Sequence, residues 1–199
     1  MGQGRLATHQ KKARRLNATL GFIDESGLLM APLVRRTWSR CGQTPVLVQR
    51  TRCHQKVSVI AALLISPRRR RVRLCFRLHA GANVDTGRVR AFLNQLSGQV
   101  RGSLVLIWDR LQAHRSPRIQ AFAVRHRRFH FEWLPPYAPE LNPVEYGWSW
   151  LKTNPLANHA PTDASELAHR ARQQARRLQR RSPLLWSFVD HSPLPLRHK

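Results

Sequence analysis

Acidic residues are scarce in this chain, which has 10 Asp and Glu against 35 Lys and Arg among its 199 residues. The resulting formal net charge of +25 indicates a polyanionic partner, and nucleic acid is the obvious one. A basic surface that is simply solvated, as in small ribosomal and nucleoid proteins, is the alternative. The few acids are therefore the residues whose positions need an explanation.

Long apolar runs are also missing, because none approaches the roughly 18–20 residues that span a bilayer. The N-terminal stretch MGQGRLATHQKKARRLN is basic, but no apolar segment follows it, so it is not a secretory signal. Leu6 stands where a myristoylation motif has Ser or Thr. We therefore expect no membrane partner and a cytoplasmic location.

Cysteine is rare, with three residues that are too widely spaced for a zinc pair and odd in number: Cys41, Cys53 and Cys75. Reduced thiols are the state expected of such cysteines in the cytoplasm. The length suits one domain with tails, and a hydrophobic content of 42% is enough for a packed core. We place a basic N-terminal arm at 1–17, one domain at 18–182 and a C-terminal tail at 183–199.

Apolar and β-branched runs predict a set of strands, at 18–24, 28–39, 56–66, 72–79, 103–109 and 128–135. The third and fourth of these fit a hairpin whose tip carries arginines 68–71. Helical spacing of apolar residues predicts helices at 85–100, 116–126, 142–152, 162–181 and in the segment from 182. The alternation of strands and helices predicts an α/β fold, with a mixed sheet flanked by helices.

Two aspartates, Asp24 and Asp109, each end a predicted apolar strand. Aspartate is depleted in strands, so each can be read as a turn residue or helix cap at the strand exit. In α/β sheets, however, ligands bind in the crevice at the carboxyl ends of strands. The two side chains converge there if their strands are adjacent.

Glu145 lies at the start of a predicted helix, after the proline-rich stretch LPPYAPELNP. Asn142 is a good N-cap, and Glu145 could reach back to its backbone N–H in a capping box. Alternatively, the rigid approach holds the carboxylate where a metal ligand is needed, at a helix N-terminus that favours its charged form. The buried stripe of this helix is predicted to be Val144, Trp148 and Leu151.

Three carboxylates brought together repel one another, and divalent cations remove that repulsion. Their hard oxygen ligands suit Mg²⁺ or Mn²⁺, and two such ions about 3.5–4 Å apart support phosphoryl transfer. A negative pocket within a positive surface fits an enzyme that holds DNA by its phosphates and cuts one of them.

The stretches GFIDESG, LVLIWDRLQAHRS and LPPYAPELNPVEYGWSWLK resemble the three signature blocks of the mariner-like DDE transposases, in their bacterial insertion-sequence branch. WSRCGQTP resembles a further block of this family, and 35 residues separate Asp109 from Glu145, close to the family's spacing. The resemblance implies a ribonuclease-H-like fold in which Asp24, Asp109 and Glu145 bind two Mg²⁺ or Mn²⁺ ions. It also implies cleavage at a transposon end and attack of the freed 3′-hydroxyl on target DNA, usually at a TA dinucleotide.

Family members usually carry helix-turn-helix modules before the catalytic domain, whereas about 17 residues precede the first block here. We expect a separately encoded helix-turn-helix half or a truncated remnant. Synapsis of two DNA ends makes a homodimer plausible, and the bacterial branch implies a nucleoid-associated location.

Several other residues are candidates for supporting roles. The resemblance places His114 near the active site as a possible DNA contact, although a surface loop histidine is the alternative. Arg110 puts a cation beside the site where the family often has Asn. Glu25 is expected to be structural, and Glu140 to steer the proline loop. Possible DNA contacts also include the arginines of the hairpin tip, Arg68, Arg69, Arg70 and Arg71, while Trp148 and Trp150 are expected to serve packing.

The leading hypothesis is a metal-dependent transposase catalytic domain. Two alternatives stay open: a non-catalytic DNA-binding remnant of a transposase, and a nuclease of the same fold without strand transfer.

Overall fold

The structure, a computed structural model, describes residues 2–31, 33–48, 55–109, 114, 116–136 and 138–193. Its regular elements in chain order are α1 Gly2–Arg15, β1 Thr19–Leu29, β2 Lys56–Ile65, β3 Val72–Ala80, α2 Thr86–Gln99, β4 Leu104–Trp108, α3 Pro117–Arg125, β5 Phe129–Trp133, α4 Pro143–Thr153, α5 Ala164–Gln179 and α6 Ser182–His191. All five predicted helices are confirmed, and so are the predicted strands other than 28–39.

The five strands form one mixed sheet in the order β3-β2-β1-β4-β5. The pairs β1–β2 and β2–β3 are antiparallel, whereas β4 runs parallel to both β1 and β5. Nine of the ten residues of β2 are buried, as expected for a strand covered on both faces. The predicted α/β architecture, a mixed sheet flanked by helices, is confirmed.

The apolar side chains of the sheet divide into two cores, one on each face. Alternate residues of a strand point to opposite faces, so Phe22 packs in the core that holds α4, α5 and α6, while Ile23 packs in the core that holds α2 and α3. The predicted stripe of α5 is buried in the first core, at Leu167, Ala171, Ala175 and Leu178. By the same alternation, Asp24 shares the face of Phe22 and points towards α4.

The predicted second strand, at 28–39, is wrong. Leu28 and Leu29 are the last residues of β1 and pair with Val57 and Lys56, whereas residues 33–40 have no regular structure and are exposed. The backbone of this segment bonds to Asn158 and not to a strand: the carbonyl of Leu33 accepts from the backbone N–H of Asn158, and the N–H of Arg35 donates to Oδ1 of Asn158. Pro32, expected to make this segment irregular, lies outside the described residues.

The segments that flank the predicted domain both contribute helices to the packed structure. Ala13 of α1 is buried in the core, and Lys12 Nζ lies 2.5 Å from Oε1 of Glu132 on β5. Leu185 and Val189 of α6 are fully buried. The limits at 17 and 182 stay predictions. Within the described residues, no helix is both long enough and apolar enough to cross a membrane.

Candidate active site

The register between β1 and β4 brings two aspartates to one level of the sheet. Phe22 pairs with Ile107 in parallel, and this is the last pair between the two strands. Asp24 and Asp109 each follow two residues later. Their strands are adjacent, which is the arrangement that the sequence analysis required for the two side chains to converge. The expectation that Asp24 ends its strand is wrong, because β1 continues to Leu29 along β2. Pairing between the two strands ends at this level, at the carboxyl end of β4, which is the end of the strands at which open α/β sheets bind ligands.

Asp24 is buried, and its Oδ2 accepts a hydrogen bond of 2.8 Å from the indole Nε1 of Trp148. Burial is the main reason that the pKa of Asp24 rises from its ordinary 3.8 to about 8. The negative charge of Glu145 is the next cause of this rise, and the charges of Glu25 and Asp109 add to it. The bond from Trp148 lowers the pKa without offsetting the other effects. These acids therefore act on one another electrostatically.

Asp109 is held by His114, a buried residue that was predicted to lie near the site as a possible DNA contact. Nδ1 of His114 lies 2.6 Å from Oδ1 of Asp109, and Nε2 lies 3.2 Å from a carboxylate oxygen of Glu25. The imidazole also stacks on the ring of Trp108, with centroids 3.7 Å apart. Burial alone would lower the pKa of His114, but hydrogen bonds and charge from the two carboxylates raise it to about 9. The raised pKa favours the charged form of His114, which is buried between two acids and is not a surface loop histidine.

Glu145 is the third residue of α4 and is exposed to solvent. Asn142 caps the helix, since its Oδ1 accepts from the backbone N–H of Val144. The backbone N–H of Asn142 donates to the carbonyl of Pro139 and is not left for the carboxylate of Glu145. The capping-box interpretation therefore does not explain Glu145. Its negative charge instead raises the pKa of Asp24.

The start of α4 is also fixed to the sheet. Nδ2 of Asn142 donates a 3.1 Å hydrogen bond to the carbonyl of Ile23, the residue before Asp24. Val144, Trp148 and Leu151 are buried, as predicted, and pack the helix on the sheet. These contacts therefore fix the position of Glu145 relative to Asp24.

The remaining candidates lie elsewhere. Glu140 is exposed in a 3₁₀ turn before α4, at Pro139–Leu141. Arg110 lies outside the described residues. The arginines of the hairpin tip follow Ile65, which pairs with Leu20 near the opposite end of β1 from the acids. Asp24, Asp109, Glu145 and His114 are therefore brought together, and residues 68–71 are not.

The family model of the DDE superfamily endonucleases matches residues 19–168, which is most of the chain and includes all three acids. The chain belongs to the DDE superfamily endonuclease family.

Solved structures show the same fold as this DDE superfamily member. The Mos1 transposase paired-end complex with left transposon end has a TM-score of 0.63 at 14% identity, over 96% of this chain and 57% of that one. The Mos1 strand transfer complex matches equally well. The catalytic domain of Mos1 mariner transposase has a TM-score of 0.57 at 13% identity, over 96% of this chain and 87% of that one. No curated protein matches the sequence significantly.

These likenesses confirm the ribonuclease-H-like fold. The chain spans somewhat more than half of the Mos1 transposase chains in the paired-end and strand transfer complexes, at 57%.

The residues of this DDE superfamily member suit divalent metal ions by their donor chemistry. Three carboxylates supply hard oxygen ligands, and a cation would favour the charged form of Asp24, whose pKa is raised first by burial and then by the charges of the neighbouring acids. Within the described ranges, no group of three or more His, Cys, Asp or Glu side chains is already arranged around one point as a metal site. The carboxylate of Asp109 is turned to His114 instead.

Sequence reasoning missed the polar contacts of Trp148 and Asn142. A buried tryptophan usually finds an acceptor for its N–H, and Trp148 follows Glu145 by about one helical turn. That spacing was a usable signal. The amide of an N-cap residue keeps two donors after its oxygen has capped the helix, but the partner of Asn142 is 119 residues away and could not be found from sequence.

Proposed function

We propose that this chain is the catalytic domain of a DNA transposase, which cuts DNA strands with two divalent ions and joins a 3′-hydroxyl to target DNA. The observation that carries the proposal is that the last pair between β1 and β4 brings Asp24 and Asp109 to one level, with the start of α4 and Glu145 attached to Ile23, in a chain of net charge +25. The three acids come from β1, the end of β4 and the start of α4, so only the folded chain unites them.

Asp24, Asp109 and Glu145 would hold the ions, which are Mg²⁺ or Mn²⁺ in solved complexes of Mos1 transposase. Bound ions activate an attacking oxygen and stabilise a leaving one in phosphoryl transfer. His114 holds the carboxylate of Asp109 at the carboxyl end of β4, and Asn142 fixes the position of Glu145 relative to β1. The burial of Asp24 excludes water from one side of the site.

DNA is the proposed partner, both as a transposon end and as a target. Three exposed arginines of α5 and its C-cap, Arg172, Arg176 and Arg180, recur at a spacing of four and line an open groove of about 550 Å³ with His169. Like charges at this spacing destabilise a helix, and phosphate groups would offset the repulsion. Because α5 lies in the same layer as α4, its arginines are suited to DNA that reaches Glu145.

Further parts of the proposal concern the assembly. The arginines of the hairpin tip, Arg68–Arg71, would contact DNA away from the cleavage site. The proposal also includes a homodimer that brings two DNA ends together, a separately encoded helix-turn-helix half and a cytoplasmic, nucleoid-associated location in a bacterium. Solved Mos1 complexes include one with the left transposon end and one described as a strand transfer complex.

Incubation with supercoiled plasmid and a labelled DNA end tests the proposal. With Mg²⁺ or Mn²⁺ we expect nicked plasmid and covalent joining of the labelled end, and with EDTA neither product. Nicking without joining would favour the nuclease of the same fold. Salt-sensitive binding without nicking, in the presence of any separately encoded partner, would favour the non-catalytic remnant.

A further inference from the structure

Trp148 makes the one polar side-chain contact of Asp24 that the structure resolves, and it does so from the helix that carries Glu145. We propose that Trp148 is a positioning residue for the metal site: its indole N–H holds Oδ2 of Asp24, so that the carboxylate keeps one orientation and its other oxygen is left for a metal ion. This inference rests on the proposed function, since it concerns the same site.

The contact is short and shielded from water. Nε1 of Trp148 lies 2.8 Å from Oδ2 of Asp24, and the two residues are 6% and 8% exposed. Water cannot easily replace a donor at that depth, so loss of the N–H would leave Oδ2 without its partner. The carboxylate would then be free to rotate about its χ angles towards other donors.

Among the described residues, the bond is one of three from side chains of α4 and its N-cap to β1, and the third runs from Nζ of Lys152 to Oγ of Ser26 at 2.8 Å. Asn142 donates to the carbonyl of Ile23 at 3.1 Å, and Trp148 donates to the side chain of Asp24 at 2.8 Å. These two attachments, at the start of the helix and nearly two turns later, define where the helix lies along the strand and in which direction it runs. Glu145 lies between them, so the same pair of bonds sets its position relative to Asp24.

Packing alone does not account for a tryptophan here. Trp148 belongs to a buried stripe with Val144 and Leu151, and a phenylalanine would fill most of the same space. The indole N–H is what distinguishes the two. Trp108 shows the contrast, because its Nε1 is buried without a hydrogen-bond partner among the residues that the structure describes. At Trp148, by contrast, the N–H meets a proposed metal ligand.

The test compares Trp148→Phe with Trp150→Phe, a matched change two residues along α4 at a partly buried tryptophan that does not contact the acids. Free Mn²⁺ is measured by electron paramagnetic resonance during titration of each metal-free protein, and thermal unfolding is recorded in parallel. Removal of a residue that orients a metal ligand typically costs about 10–100-fold in metal affinity. We therefore expect Trp148→Phe to weaken Mn²⁺ binding at least about tenfold, and Trp150→Phe to bind as wild type does.

Nicking kinetics give a second readout. With Trp148→Phe the Mn²⁺ concentration needed for half-maximal nicking should rise, while the rate at saturating Mn²⁺ recovers most of the wild-type value. A folded Trp148→Phe variant with wild-type Mn²⁺ affinity would overturn the proposal, as would an equal loss of affinity in Trp150→Phe. A wild-type protein that binds no Mn²⁺ at all would instead overturn the proposed function itself.

Nuclear magnetic resonance of the wild-type protein keeps the proposal testable if Trp148→Phe does not fold. The chain has six tryptophans, which give separate indole signals after ¹⁵N labelling. We expect one indole proton to be shifted downfield and protected from exchange, and to move on Asp24→Ala and on addition of Mg²⁺, a diamagnetic ion. If no indole signal responds to either change, the hydrogen bond does not serve the metal site.

Discussion

The imidazole of His114 joins two acids of the candidate site, with Nδ1 2.6 Å from Oδ1 of Asp109 and Nε2 3.2 Å from Glu25. His114 is nearly fully buried and stacks on Trp108, so its ring has little freedom to turn. Glu25 and Asp109 belong to β1 and to the end of β4. The histidine therefore stabilises the point at which pairing between these neighbouring strands ends and the candidate site begins.

Replacement of His114 with Gln should lower the free energy of unfolding by about 1–3 kcal/mol, because the partly buried carboxylates of Asp109 and Glu25 lose their charged partner. The loss should depend on pH. The folded pKa of His114, about 9, lies above its ordinary 6.5, so its contribution is full below pH 6.5 and is lost as the pH rises through 9. Melting temperatures of wild type and His114→Gln in EDTA should therefore differ at pH 6 and converge by pH 10. A difference that does not change with pH would contradict this assignment.

Replacement of Asp24 with Asn should stabilise the metal-free protein while it abolishes nicking. The folded pKa of about 8 lies above the ordinary 3.8, so the stability associated with this group is full below pH 3.8 and is lost as the pH rises towards 8. Asparagine is never charged and can still accept from Trp148. We expect a higher melting temperature than wild type at pH 8 in EDTA, with little difference near pH 4. A lower melting temperature at pH 8 would show that the buried charge is not unfavourable.

Replacement of Asp109 with Asn should abolish metal-dependent nicking and leave salt-sensitive DNA binding intact, since a single carboxylate contributes little to phosphate contacts. The assays are plasmid nicking with Mg²⁺ and a filter-binding isotherm at several salt concentrations. Asp190→Asn, at an exposed aspartate on α6, is the matched control and should retain both activities. Unchanged nicking by Asp109→Asn would reject this residue as part of the catalytic site.

Replacement of Asn142 with Asp should separate its two roles. The aspartate keeps the cap on α4 but cannot donate to the carbonyl of Ile23, so we expect slower nicking with a stability loss of about 1–3 kcal/mol. Asp163→Ala removes the N-cap of α5 instead, and should cost about 0.5–2 kcal/mol with nicking unchanged. Urea unfolding and single-turnover nicking measure the two effects. If nicking follows stability alone in both variants, Asn142 does not position the site.

Removal of three positive charges from α5 and its C-cap should weaken DNA binding and make it less dependent on salt. With Arg172, Arg176 and Arg180 changed to Gln, the slope of log K against log salt should become shallower by up to about 2.7, since each lost phosphate contact changes it by about 0.9. The cleavage rate on saturating DNA should change little, because the acids are untouched. Binding isotherms between 50 and 300 mM salt, about the range over which such contacts weaken, give the slope.

The matched control removes the same charge from the other layer of the fold. It changes three exposed arginines in and after α3 to Gln: Arg118, Arg125 and Arg127. If this triple variant loses as much affinity and slope as the α5 variant, binding is spread over the whole basic surface, and α5 is not a preferred DNA contact.

Local patterns were sufficient for most of the secondary structure. The continuous apolar run of β2 and the stripe of α5 depend on neighbours within one element, so periodicity alone located both. The segment 28–39 failed for a non-local reason: its residues suit a strand, but Leu28 and Leu29 extend β1, and Leu33 and Arg35 bond to the distant Asn158. The same limit applied to Asp24, since nothing in the sequence shows that β1 continues along β2 after it parts from β4.

The sequence by itself determined the chemistry that this protein can offer: a strongly positive chain, a few acids in distinctive surroundings, and a helix start fixed by prolines and an asparagine. Composition and short-range spacing carry that information because charge, capping and periodicity are local properties. Only the tertiary structure decided which groups meet. Contacts such as Trp148 with Asp24 and Asn142 with Ile23 span more than 100 residues, and they depend on sheet order and helix placement, which no local pattern encodes.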